Sequence, residues 1–252
     1  MPNTQYEERL GTDRMLPLVF RMALPAVAAQ LVNLLYTLVD RVYIGHIPGI
    51  GTDALAGVGV TSSVIILISA FSAIVAGGGA PLAAIALGQG HRERAGKILG
   101  NGFVLLVLFA VVTSTVSYLF MKPILTSIGA STHTLPYAVD YLSVYLLGTL
   151  FVEVAVGLNT FINCQGRPGV AMCSVIIGAV LNIVLDPLFI FTFDMGVKGA
   201  ALATILSQAC SAVWVLAFLT SKRASLQLKR RYLQLDRRIV GATLALGLSP
   251  FI

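Results

Sequence analysis

The chain has 252 residues, of which 57% are apolar and only 11% charged, with a net charge of +6. Soluble domains carry roughly 25% charged residues, and a water-facing globule of this composition would lack the polar surface to cover its apolar content. A soluble enzyme is therefore excluded. A nucleic-acid-binding domain is not expected either, because the basic residues sit in short gaps between apolar runs and not on one wettable face.

In chain order, residues 1–15 form a polar N-terminal segment without the charged, apolar, small-residue order of a cleaved leader, so the first apolar helix is expected to stay in the mature protein. A membrane crossing needs about 20 mostly apolar residues. Six segments qualify, near Leu16–Ile44, Ala54–Gly77, Gly100–Met121, Pro136–Asn163, Val170–Phe193 and Gly199–Thr220. The predicted fold is an all-α membrane protein, with a six-helix transmembrane bundle over residues 16–221. A basic linker follows at 222–238, and then the start of a seventh helix at 239–252, too short to cross. The linker has a helical look and is expected to lie as an amphipathic segment on anionic headgroups.

Orientation follows from Lys and Arg on alternate sides. One side holds Arg9, Arg14, Arg21, Arg92, Arg94, Lys97, Arg167 and the seven basic residues between Lys222 and Arg238, which is 14 of the 17. Arg41, Lys122 and Lys198 fall on the other. The N-terminus and the 222–238 linker are thus expected in the cytoplasm of a multi-pass protein of the inner (plasma) membrane, with membrane lipid as its surroundings.

Ionisable groups inside a span are costly unless paired or wetted. Three carboxylates lie in spans: Asp40, Glu153 and Asp186. Asn33, Tyr36, Thr37 and Asp40 share one face of the first span, and Ser174, Gly178, Asn182 and Asp186 share one face of the fifth. In the sixth, Ala200, Thr204, Gln208 and Ser211 make a small and polar stripe suited to close helix contact. With this topology Asp186 lies roughly 24 Å above the cytoplasmic entry of its span and Thr204 roughly 8 Å below the outer one, at 1.5 Å per residue. Asp40 and Tyr141 fall at a similar level, so four helices are expected to present oxygen atoms at one depth. Two carboxylates with an amide and a hydroxyl suit a proton or a hard cation such as Na⁺, which takes oxygen ligands. From spacing alone, a polar cluster that merely glues helices together remains an alternative. Glu153 has no polar company on its own helix, and its role is left open.

Pro25 removes the backbone bond to the Arg21 carbonyl and Pro187 loosens the backbone around Ile183, so both are candidate hinges. Gly77-Gly78-Gly79 before Pro81 reads as a bend, not a phosphate loop. Gln89-Gly90-His91-Arg92 and Gln165-Gly166-Arg167 hint at an internal three-helix echo. Cys164, Cys173 and Cys210 form no CxxC pair, and His46, His91 and His133 fall in loops or at interfaces, so no zinc site or disulfide framework is implied. No Ser–His–Asp set, HExxH or Asp-rich prenyl-diphosphate motif is present, and no enzyme activity is expected.

The stretch Asn182-Ile183-Val184-Leu185-Asp186-Pro187-Leu188-Phe189-Ile190-Phe191, followed by Met195-Gly196-Val197-Lys198-Gly199-Ala200-Ala201 and Thr204, resembles the fifth and sixth helices of the multidrug and toxic compound extrusion (MATE) family. Pro25 with Asn33, Tyr36 and Asp40 resembles the first helix of its DinF-like branch, and Gln165-Gly166-Arg167-Pro168 resembles the family's turn between helices four and five. The resemblance implies twelve helices in two six-helix lobes that rock about a central cleft. It also implies export of organic cations or amphipathic drugs, driven by inward H⁺ or Na⁺ with no other cofactor. Asp40, Asn182, Asp186 and Thr204 then match the cation and proton site of the first lobe, where Na⁺ is the metal in question. Tyr36, Tyr141 and Asn159 match the cavity lining, joined by Asn33, which shares the same face. A second six-helix lobe is the expected partner. A flippase for lipids or lipid-linked sugars would be expected to carry basic residues in the cavity, and a non-transporting scaffold would need no matched carboxylates. The acidic and polar candidates favour cations.

Overall fold

The structure, a computed structural model, describes residues 15–249, without the side chains of residues 15–19, 21 and 22. The N-terminal segment, including Arg9 and Arg14, the side chain of Arg21, and residues 250–252 lie outside the described residues. Those described are helical almost throughout, and no strand occurs among them.

The helices are α1 (Met15–Gly45), α2 (Gly51–Gly88), α3 (Arg92–Leu119), the short α4 (Met121–Ile128), α5 (Leu135–Asn163), α6 (Pro168–Pro187), α7 (Gly196–Thr220) and α8 (Arg237–Leu248). Six of them, α1, α2, α3, α5, α6 with its extension to Thr192, and α7, are long and apolar enough to cross a membrane. Their boundaries follow local chemistry. Pro168 opens α6 at a position where its missing N–H costs nothing. Gly129 closes α4 in the left-handed conformation, φ 116°. The Asp236 carboxylate caps α8 by accepting the Arg238 N–H at 2.9 Å.

Two helices outrun the apolar signal. α2 continues past Gly77 to Gly88 and α3 begins at Arg92, not Gly100, because helix can extend beyond the hydrocarbon into the polar zone. The glycine run 77–79 and Pro81 do not interrupt α2. Gly78 and Gly79 serve close packing instead: a Cβ on Gly78 would sit 1.9 Å from the Thr243 carbonyl oxygen of α8. At the other end of α6, Pro187 leads into a wider turn, in which the Phe193 N–H reaches back five residues to the Leu188 carbonyl at 2.9 Å.

α5 is the central post, packed on α7, α2, α3 and α6. Its Leu158, Phe161 and Ile162 are fully buried among Leu99, Leu106, Val215 and Leu219. α1 stands at one edge and packs chiefly on α6, so most of its apolar side chains, such as Leu31, Leu34 and Leu38, face outward. The turns at Gly90 and Gly166 both place glycine in the left-handed region, φ 77° and 74°, so the two Gln-Gly motifs end their helices in the same way.

The 222–236 segment departs from expectation. It contains one short helical turn, Arg230–Tyr232, and is otherwise irregular strap, because its polar backbone finds partners on the bundle. The Leu226 N–H donates to Gln165 Oε1 at 2.9 Å. Asn101 grips the strap twice: its Nδ2 donates to the Gln234 carbonyl at 3.1 Å and its Oδ1 accepts from the Asp236 N–H at 2.8 Å. Tyr232 is buried against Gly96 and Gly100 of α3; a Cβ on Gly100 would lie 2.2 Å from the Tyr232 carbonyl oxygen.

Candidate functional site

α1, α5, α6 and α7 bring the predicted polar residues to one place. Asp186, near the end of α6, is 0% exposed, Asn182 one turn before it is 2% exposed, and Asp40 of α1 is 8% exposed. Asn182 Nδ2 donates to Asp186 Oδ1 at 3.1 Å and reaches Thr204 Oγ1 of α7 at 3.5 Å. Thr204 in turn donates to the Ala200 carbonyl at 3.1 Å. The carboxyl of Asp40 lies close to that of Asp186, and the Tyr141 hydroxyl of α5 lies beside Thr204. Tyr145 stacks on Tyr141, with ring centres 6.1 Å apart, and closes the cluster toward the core.

The cluster has more acceptors than donors. Asp40 Oδ1, Asn182 Oδ1 and Asp186 Oδ2 are all buried without a hydrogen-bond partner, a costly state for polar atoms in apolar surroundings. Among the described residues neither carboxyl forms an ion pair with Lys or Arg. Arg41, next to Asp40, instead points Nη2 at Ser62 Oγ of α2, 3.5 Å away. Two adjacent carboxyls with surplus oxygen atoms are completed by a proton between them or by a small hard cation among them. The four residues Asp40, Asn182, Asp186 and Thr204 supply only oxygen ligands for such an ion, a set suited to Na⁺ and not to a soft transition metal.

Below this cluster, a cavity of about 250 Å³ opens between α1, α5, α6 and α7. Asn33, Tyr36 and Asn159 line it, and so does Pro25. Tyr141 does not; it belongs to the carboxyl cluster. Gln30, Asn163 and Gln208 add amides that the sequence reading did not assign to the cavity, and among the described residues no Lys or Arg lines it. Gln208 was legible as part of the α7 stripe, but nothing in one helix shows that it meets Tyr36 across the gap. Tyr36 is therefore the link, lining the cavity while lying one turn from Asp40 on α1. Pro187 stands directly after Asp186 at the start of the wider turn.

Glu153 sits apart, on α5 and 1% exposed. Its Oε2 accepts from the Ser72 hydroxyl of α2 at 2.5 Å, and its Oε1 has no partner.

The MatE family profile matches residues 25–188. The chain is similar to the multidrug export protein MepA of Staphylococcus haemolyticus, 22% identical over 234 residues, covering 93% of this chain and 51% of that protein. It is also similar to the FAD transporter of Shewanella oneidensis, 27% identical over 194 residues, covering 75% of this chain and 42% of that protein. Among solved structures, an outward-facing multidrug resistance MATE family transporter of the MOP superfamily superposes with a TM-score of 0.84 at 27% identity, covering 92% of this chain and 51% of that one. The chain spans about half the length of the curated relatives it matches.

Proposed function

The chain belongs to the MatE family, and on that premise we propose that it is the first six-helix lobe of a cation-coupled antiporter that exports organic cations or amphipathic drugs. The observation that carries this reading is the pair of buried carboxyls, Asp40 and Asp186, contributed by different helices and left with unpartnered oxygen atoms. An inward-moving H⁺ or Na⁺ neutralises the pair with Asn182 and Thr204 as further oxygen ligands. Because Asp40 is on α1 and Asp186 on α6, ion binding and release alter how α1 seats on α6. The cavity shares that wall: Asn33 and Tyr36 move with α1, while Asn159 stays with the central α5. Pro25 and Pro187 supply the weak points in the backbone at which the helices flex. The amides and aromatic ring of the cavity, with no basic residue among its described lining, favour a positively charged or neutral amphipathic guest over an anionic lipid-linked sugar.

Alternating access requires one repeat to move against another, so the reading includes a second six-helix lobe as partner. The 14-to-3 division of basic residues supports an inner-membrane protein with its N-terminus in the cytoplasm. A probe cysteine at Ser131 should then react with an impermeant thiol reagent from outside, and one at Ser225 should not; the reverse pattern overturns the orientation. Coupling is tested by ethidium efflux from cells expressing the chain joined to a second six-helix lobe. Efflux should stop in Asp40→Asn and in Asp186→Asn while membrane insertion persists, and collapse by a protonophore or by a Na⁺ ionophore identifies the ion. Efflux at the unmodified rate in Asp186→Asn would reduce the cluster to helix glue.

A further inference from the structure

A second concavity lies at the end of the bundle away from the carboxyl cluster, where the last turns of α2 meet the N-termini of α3 and α8. It has a volume of about 820 Å³. One wall is apolar, formed by exposed Ile85 with Ile239 and Ala242; the other carries His91, Arg94, Lys97 and Arg238.

The charges on that wall are placed against the local field. A helix N-terminus carries a partial positive charge and favours anions. Yet α3 opens with Arg92 and Arg94, and α8 opens with Arg237 and Arg238. His91 gives α3 no side-chain cap. The two acids on the wall are already engaged: Glu93 pairs with Lys97 at 3.1 Å, and Asp236 caps α8 through the Arg238 N–H. Among the described residues no acid pairs with the guanidinium of Arg94 or of Arg238. Two positive helix ends and two unpaired guanidiniums thus face one space, and an anion placed between them relieves the repulsion.

The geometry points to a binding site for a phosphate-bearing anion in this groove, held by Arg94 and Arg238 as forked donors. The ligand with the matching shape is an anionic glycerophospholipid. Its phosphate meets the arginines and the two helix ends, and its glycerol backbone lies on Ile85 and Ile239. Basic pockets between helices at a membrane surface bind such headgroups by the same chemistry. The site is separate from the carboxyl cluster and does not depend on the coupling mechanism.

The test uses the purified chain in a non-ionic detergent, with retained lipid read by native mass spectrometry. Phosphatidylglycerol should be retained at least about tenfold over phosphatidylcholine at equal concentration, since the two differ mainly in net charge. Glycerol 3-phosphate should compete for the site. The variant R94A/R238A should lose the retention, R94K/R238K should keep part of it, and the control K222A/R223A should behave as the unmodified chain. If the alanine variant expresses poorly, R94Q/R238Q keeps the stems and drops the charge. Retention of phosphatidylglycerol at the unmodified level in a folded R94A/R238A protein, or equal retention of phosphatidylcholine, overturns the proposal. Binding of inorganic phosphate without retention of any lipid would keep the anion site but remove the lipid as its ligand.

Discussion

Two buried carboxyl sites in the same bundle are built in opposite ways. Glu153 faces one hydroxyl, that of Ser72, across a contact between two helices of the packed centre. Asp40 and Asp186 face each other, with an amide and a hydroxyl nearby, where the edge helix α1 meets α6 and α7. A lone carboxyl that accepts from one hydroxyl links two helices of the packed centre. A pair of carboxyls has a proton or cation to gain and lose, and it lies beside the helix least buried in the bundle. The comparison teaches that burial alone does not single out a residue for the proposed coupling role. A like-charged neighbour on a separately packed helix is the added mark.

The largest effect expected from breaking this contrast is at the pair. Asp40→Asn or Asp186→Asn in the two-lobe protein should lower ion-driven ethidium efflux by at least about 100-fold, since the ion then has one charge fewer to neutralise. Next comes the lone acid. Glu153→Leu leaves the Ser72 hydroxyl buried without its partner and should destabilise the bundle by about 1–3 kcal/mol, measured as denaturant- or heat-induced unfolding in detergent, with efflux per folded molecule unchanged. Glu153→Gln keeps an acceptor for Ser72 and should restore stability. Loss of coupled efflux in a stable Glu153→Gln protein would erase the distinction between the two sites. The smallest effect is at Thr204: Thr204→Ala removes one neutral oxygen and should weaken ion affinity by about 1 kcal/mol, roughly fivefold, read as the shift in ion concentration for half-maximal efflux.

The pair was legible in the sequence because its logic lies within single helices plus a depth count. Asn182 and Asp186 are one turn apart on α6, Tyr36 and Asp40 one turn apart on α1, and the six apolar runs fix how far along the bilayer each lies. The Glu153–Ser72 contact was not legible, because it depends on the rotation of α2 against α5, and Ser72 is a single small polar residue in an apolar run. Tyr141 was assigned to the cavity wall from its level alone, which does not fix the direction of its ring, and the cavity described above is lined without it. The strap was misread as helical because its charges and leucines look amphipathic. Its bonds are made by Gln165 and Asn101, residues far away in sequence, to main-chain atoms that leave no pattern in the strap itself.

That last feature has a consequence for sequence change. The strap is held by its own amide and carbonyl groups at Leu226, Gln234 and Asp236, and main-chain groups are the same whatever the side chain. Its exposed residues are therefore free to drift, with lysine, arginine or neutral residues exchanged at little structural cost. The constraint is displaced onto the receiving side: Gln165 and Asn101 must keep their amides, Gly96 must stay small for the ring of Tyr232, and Gly100 for its main chain. A segment free to vary along its own length is thus written in fixed letters elsewhere in the chain.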